Sequence, residues 1–419
     1  MKKFLFASTA LVAAGMMNAG AAEAADKIKL NLGGYSKWWV IGAWQNDDHA
    51  KYRNSTGSTK FTNVDVKGAN EISFSGSTKL DNGLGVGVMI TLTGGGHSDE
   101  TTDPIDASYA WVEGGFGKVL IGNHANAINL VHVMAPDAAH GSLGGSMMGA
   151  NFAVNRTSNR VMGLHQRAGW TTSTNTTAPI DDNKAEKISY VAPSFMGLTL
   201  GASYVPSVVR EDGRGQPTNR PIGWGVGALY ANTFGPVGLK VSGGFLRYNL
   251  EQATTGNEKS METVAFGSQL SYAGFTLGGS WTRQSHDIGL GGTVASNLSG
   301  AISGANATSN GADFSAAKGG AVDFGGQGYD LGLQYASGPY AVSFVYFHSE
   351  VEGSKIFEGK DKINMYQASG KYNIGPGVDV LATVGYAEYQ SELSADGGAY
   401  NALNRNDGYV FGTGLSLTF

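Results

Sequence analysis

Apolar and polar side chains alternate along most of the chain with a period of two. Leu331, Leu333 and Tyr335 interleave with Asp330, Gly332 and Gln334, and Leu84, Val86, Val88, Ile90 and Leu92 with Gly85, Gly87, Met89 and Thr91. Successive strand residues point to opposite faces, so each such segment has one greasy face and one small, polar face. The alternation predicts strands at 28–45, 71–80, 84–92, 106–113, 118–123, 187–191, 198–205, 223–231, 238–250, 262–272, 275–286, 328–336, 340–349, 362–373, 378–390 and 408–419. That is about sixteen strands, separated by seven tight turns and eight long connections. Turn residues punctuate the short links: Asp81-Asn82-Gly83, Ala273-Gly274, Gly338-Pro339 and Gly375-Pro376-Gly377. The segment 124–184 carries no clean alternation, and 289–326 is rich in Gly, Ala, Ser and Asn, as a flexible external loop would be.

An even strand count, short turns at one end and long loops at the other describe a transmembrane antiparallel β-barrel. A β-propeller would show a blade repeat, and none is visible. A soluble barrel needs a polar outside, and an interior of Gly, Ser, Thr and Gln cannot form a dry core. A water-filled lumen accounts for both faces, and sixteen strands enclose one. The composition agrees. Glycine is 64 of 419 residues, about twice the usual share, and charged residues are 15%, low for a soluble surface. A net charge of −5 argues against a nucleic-acid partner. With no cysteine there is no thiol or disulfide chemistry.

Lys2 and Lys3 precede an apolar run from Phe4 to Met17 and the small-residue site Ala22-Glu23-Ala24. This reads as a secretory signal peptide, 1–24, leaving one barrel domain at 25–419. The final strand ends on Phe419 with aromatics at both ends of its apolar face, at Tyr409, Phe411 and Phe419.

That ending resembles the terminal strand of bacterial outer-membrane barrels. The run Ala107 to Asn123, with Ala110-Trp111-Val112-Glu113-Gly114-Gly115-Phe116-Gly117, resembles the strand-turn-strand segment of general Gram-negative porins. The resemblance implies a sixteen-stranded trimer in the bacterial outer membrane, with short periplasmic turns and long extracellular loops. It implies passive diffusion of small hydrophilic solutes and ions, with no cofactor. Its implied partners are two further copies of the chain, outer-membrane lipid and lipopolysaccharide, and the barrel-assembly machinery acting through Phe419. A substrate-selective channel, with a preference for anions, is the alternative.

In that family the third loop folds into the lumen and narrows it, here within 124–184, and acids on it face bases on the wall. This sequence departs from the pattern. From Asn123 to Trp170 the one acid is Asp137, against Arg156, Arg160 and Arg167. Those arginines either line the pore or pin the loop to the wall; lining the pore, they would make selectivity weak or anionic. Lys37 on the first strand matches a basic wall position of the family. Glu71 and Lys79 share the polar face of the second strand, as lining residues or as a local ion pair. The expected lining set is therefore Lys37, Glu71, Lys79, Asp137, Arg156, Arg160 and Arg167.

His124, His132, His140 and His165 lack zinc-site spacing. The pairs Asp47-Asp48 and Asp181-Asp182 read as solvated turns rather than calcium ligands. No Gly-x-Ser-x-Gly elbow or His-Glu-x-x-His motif is present, so an enzyme is not expected.

Overall fold

A computed structural model describes residues 27–47, 63–96, 105–139, 176–179, 185–207, 222–249, 260–285, 325–351, 360–390 and 405–419. The expected signal peptide, most of 289–326, Arg156, Arg160, Arg167, His140, His165, Asp48 and Asp181-Asp182 lie outside these residues.

Sixteen antiparallel strands close into a barrel. They are β1 (Lys29–Gln45), β2 (Val64–Lys79), β3 (Gly85–Gly96), β4 (Ile105–Gly114), β5 (Gly117–Asn123), β6 (Glu186–Val191), β7 (Leu198–Val205) and β8 (Ile222–Phe234). Then follow β9 (Val237–Asn249), β10 (Met261–Tyr272), β11 (Phe275–Gln284), β12 (Gly326–Ser337), β13 (Tyr340–Val351), β14 (Asp361–Gly375), β15 (Val378–Gln390) and β16 (Arg405–Thr418). A helix, α1 (Ala127–Val131), follows β5. Each strand pairs with its neighbours in sequence, and β1 closes the ring on β16 through Tyr35↔Thr418 to Gln45↔Gly408. At the seam the Gly34 N–H donates to the Phe419 carbonyl at 2.9 Å, so the chain end is bonded into the sheet. Closure matters because an unpaired strand edge in lipid costs several kcal/mol per group.

The tight turns are shaped by residues that accept positive φ. Ala273 and Gly274, at +49° and +87°, make the two-residue turn between β10 and β11. The second strand is longer than its alternation suggests. It begins at Val64 rather than 71: Val64 and Val66 face out and Lys67 in, but Gly68, Ala69 and Asn70 give the two faces little contrast.

Face assignment follows the alternation. Leu331 and Leu415 stay 56% and 39% exposed on the outer wall. Outward aromatics gather at the two ends, with Phe195, Phe234, Tyr272, Tyr340 and Phe419 by the turns and Trp44, Tyr204, Trp224 and Tyr409 towards the loops. These are the positions of membrane interfaces. The inner face is less uniformly polar than the sequence suggests. On β13 to β16 and β1, Phe347, Ile363, Met365, Leu381, Tyr389, Val410 and Trp39 form a buried apolar cluster on the lumen side, with Ala139 from the third loop packed into it. Part of the lumen is thus a dry core between wall and loop.

Candidate pore constriction

Beyond β5 the chain turns into the barrel. Asn126 starts α1: its side-chain oxygen accepts from the Asn129 N–H at 2.8 Å, and its amide donates to the Pro179 carbonyl at 2.9 Å. Ala127, Ile128 and Val131 are buried against the lumen face of β7, β8 and β9. The wall beneath is glycine. A Cβ at Gly244 would stand 2.2 Å from Ile128 Cγ2, and one at Gly225 would stand 2.7 Å from Ile128 Cδ1. The helix lies this close only because the floor carries no side chains.

Residues 132–139 then run across the inner wall, and successive strands hold them and the helix before them. Ala127 N–H donates to Ser203 Oγ of β7 at 2.8 Å, and Val133 N–H to Ser242 Oγ of β9 at 2.9 Å. Gln269 of β10 donates to the Met134 carbonyl at 2.8 Å. Ala135 N–H donates to Asp330 Oδ1 of β12, and Ala138 N–H to Ser343 Oγ of β13, each at 2.9 Å. Gln367 of β14 reaches Asp137 Oδ2 at 3.4 Å. The lumen-facing hydroxyls, amides and one carboxylate replace the sheet partner that the loop backbone lacks. At Gly267 a Cβ would fall 1.7 Å from the Val133 carbonyl oxygen, so this crossing also requires glycine.

Asp330 ties the loop's two arms together. Its Oδ1 takes Ala135 N–H of the outgoing arm; its Oδ2 accepts from Thr177 Oγ1 of the returning arm at 2.7 Å and from Ser280 Oγ at 2.8 Å. At the loop root the Lys187 ammonium donates to the carbonyls of His124 and Ala185. His124 Nδ1 meets the Ala125 carbonyl at 2.8 Å, while its buried Nε2 has no hydrogen-bond partner. Burial, helped by the Lys187 charge, pushes the His124 imidazole down to about 4.

Of the residues expected to line the pore, Lys37, Glu71 and Asp137 come together. Lys37 projects from β1 into the lumen, within electrostatic reach of Asp137 on the loop and Glu71 on β2. The Tyr35 hydroxyl donates to Glu71 at 2.8 Å. Lys79 is not part of this group. It is eight residues along β2 from Glu71, roughly 26 Å, at the turn end, so the two make no local ion pair. Three other lumen lysines are paired: Lys67 with Asp65 at 2.5 Å, Lys118 with Glu113 at 3.3 Å and Lys371 with Asp379 at 3.9 Å. Lys240, exposed on the turn side, has no carboxylate partner among the described residues. It borders a recess of about 500 Å³ under the loop with Pro136, Gln269, Ser271, Thr276 and Gln334. Among the described residues no three His, Asp or Glu side chains group as metal ligands.

The wall residues Ser203, Ser242, Gln269, Asp330 and Ser343 escaped the sequence reading. One signal was present: Asp330 is an acid in the middle of a strand's small, polar face, where its neighbours are Gly328 and Gly332.

A closed sixteen-strand barrel, apolar outside and partly occluded by an inward-folded loop, defines a transmembrane diffusion channel. A Gram-negative porin family model matches residues 7–392. The chain belongs to that family and is an outer-membrane channel for passive diffusion of solutes. A search of curated proteins gives no match. Among solved structures, a porin refined at 1.8 Å is 14% identical, with TM-score 0.53, and the match covers 93% of this chain and 100% of that one. An anion-selective porin from Comamonas acidovorans is 16% identical, with TM-score 0.53, covering 94% and 100%. An in-vitro-folded outer-membrane protein of Vibrio cholerae in trimer form is 10% identical, with TM-score 0.54, covering 95% and 100%.

Proposed function

We propose that Lys37 and Glu71 on the wall and Asp137 on the loop form the charged part of the constriction, and that the channel is weakly selective. The carrying observation is that one base faces two acids there, while Lys67, Lys118 and Lys371 each have a carboxylate partner. Lys79 and Lys240 add positive charge at the turn-side mouth, a lean towards anions that the loop arginines Arg156, Arg160 and Arg167 would reinforce. Solutes and ions pass without a cofactor and without catalysis. The test is the reversal potential across planar bilayers in a potassium chloride gradient. Wild type should lie near zero with a small anion lean, and Lys37→Glu should move it towards cations. A strong cation preference in wild type would overturn the reading.

We further propose a homotrimer that packs through the outer faces of β2 to β5. The outward residues there are mainly aliphatic, with Val66, Ile72, Ile90, Val112 and Ile121 exposed and Phe74 the one exposed aromatic on β2 to β5 apart from Phe116 at the turn. Strands β8 to β16 instead carry aromatics at both ends of the outer face. A wall that meets protein does not need interface anchors. The exposed Phe419 side chain at the closing seam fits a signal read by the barrel-assembly machinery.

A further inference from the structure

The recess beside Lys240 lies between the third loop and the turn-side mouth. Pro136 of the loop roofs it, and the turns at Pro236 and Ala273-Gly274 border its open end. Its wall comes from two rows of lumen-facing residues. Lys240 of β9 stands opposite Gln269 of β10. One step towards the turns, Gly238 stands opposite Ser271, Ser271 opposite Thr276 and Thr276 opposite Gln334 of β12. The roof rests on glycine: a Cβ at Gly278 would stand 3.3 Å from Pro136 Cδ, and one at Gly332 3.2 Å from the Pro136 carbonyl oxygen. Gln269 fixes the roof by donating to the Met134 carbonyl at 2.8 Å. At Gly238 a Cβ would meet nothing nearer than 3.6 Å, so the hollow opens there.

The polar groups here are mainly donors. Among the described lining residues there is no carboxylate, and Lys240 is the one cation. The Ser271 and Thr276 hydroxyls lie 3.0 Å apart. One donates to the other, which leaves one O–H hydrogen for a guest. Gln269 spends one amide hydrogen on the Met134 carbonyl and keeps the second. Gln334 adds an amide that can both donate and accept. Three strand spacings of about 4.8 Å separate Lys240 on β9 from Gln334 on β12, roughly 14 Å, which the two long side chains narrow.

We propose that this recess binds a small hydroxylated monocarboxylate, a sugar acid. Lys240 takes the carboxylate, and the Ser271–Thr276 pair, Gln269 and Gln334 take the hydroxyls. A volume of about 500 Å³ is that of a small-molecule site. One ammonium matches one negative charge, whereas a phosphate dianion calls for more cations. A neutral sugar would leave the ammonium without its anion, and a bare carboxylate would leave the amides and the hydroxyl to water. The site deepens the turn-side anion lean proposed above and rests on Lys240 standing open in a conducting lumen. It lies on the turn side of the loop, so a solute that has passed the constriction meets it next.

The experiment records single channels of the full-length protein in planar bilayers in potassium chloride. Gluconate is added as the probe and, separately, acetate or glucose at matched ionic strength. In wild type gluconate should reduce the current saturably, with a half-blocking concentration about tenfold below those of acetate and glucose. Lys240→Gln should raise the gluconate value about tenfold, and Lys240→Arg should restore it. Gln334→Leu should raise it about threefold and leave acetate unmoved. Lys79→Gln, at the same mouth but outside the recess, should keep the wild-type value. Heat-modifiable gel mobility checks that each variant is folded. Equal block by gluconate and acetate would overturn the proposal, as would an unchanged block in Lys240→Gln or an equal loss in Lys79→Gln. A strongly cation-selective reversal potential in potassium chloride alone would instead overturn the anion lean, and absent conductance the channel itself.

Discussion

Replacing Asp330 with alanine tests whether the wall holds the third loop. The substitution removes the acceptor for Ala135 N–H, Thr177 Oγ1 and Ser280 Oγ. The two hydroxyls already lie within hydrogen-bond distance of each other and can pair. Ala135 N–H is left half-buried without an acceptor, which costs about 1 kcal/mol or more. Two charge-assisted bonds also go, offset in part because a buried carboxylate no longer has to be desolvated. The attached loop should therefore lose about 2 kcal/mol, a roughly 30-fold increase in the detached population. The anchors at Ser203, Ser242, Gln269 and Ser343 remain, so the loop stays attached most of the time. Mean conductance should move little, and the effect should appear as flicker in the open-channel current. Asp330→Asn keeps an oxygen for Ala135 and can donate to the hydroxyls, so its records should stay quiet. A quiet Asp330→Ala channel with wild-type conductance would refute the clamp. Heat-modifiable gel mobility would confirm that the barrel itself is folded.

Three further outcomes are expected. Gly267→Ala places a Cβ 1.7 Å from the Val133 carbonyl, so the loop must move into the lumen and single-channel conductance should fall. His124, held down to about 4, stays neutral in the folded protein while the unfolded chain protonates near 6.5. Stability should therefore decline as pH falls from about 6.5 to 4, by at most about 3 kcal/mol, and His124→Asn should flatten that slope in denaturant titrations at stepped pH. Ile90→Arg, on the exposed aliphatic face, should leave a folded barrel that migrates as a monomer in cross-linking and light-scattering assays.

The barrel was legible in the sequence because a wall between lipid and water writes its two solvents into alternate positions. Every strand has a segment where that alternation survives. It failed at Val64 to Asn70, where Gly68, Ala69 and Asn70 give the two faces little contrast. It also misled on the lumen near Phe347, Ile363 and Tyr389, whose inward apolar side chains answer to Ala139, a neighbour 208 or more residues away in the chain. The constriction was legible as a location but not as a mechanism. Serines and glycines on the inner face look alike whether they border water or carry a loop. Only the fold shows that Ser203, Ser242 and Ser343 meet one ribbon in succession.

This arrangement explains why so few residues are left to set selectivity. The backbone N–H groups of Ala127, Val133, Ala135 and Ala138 are spent on the wall, as is the Met134 carbonyl. The loop's wall-side edge therefore offers little to a passing ion. Its described part carries one carboxylate, Asp137, already touched by Gln367. Facing it, Lys67, Lys118 and Lys371 are neutralised within their own strand neighbourhoods. The field an ion meets at the narrowest point thus comes from Lys37, Glu71 and Asp137. Lys37 offsets one of those two carboxylates, and Lys79 and Lys240 at the turn-side mouth oppose the other, so discrimination by sign is weak and discrimination by size dominates. Loss of Lys37 alone breaks that balance, so a single substitution should reverse the ion preference without widening the pore.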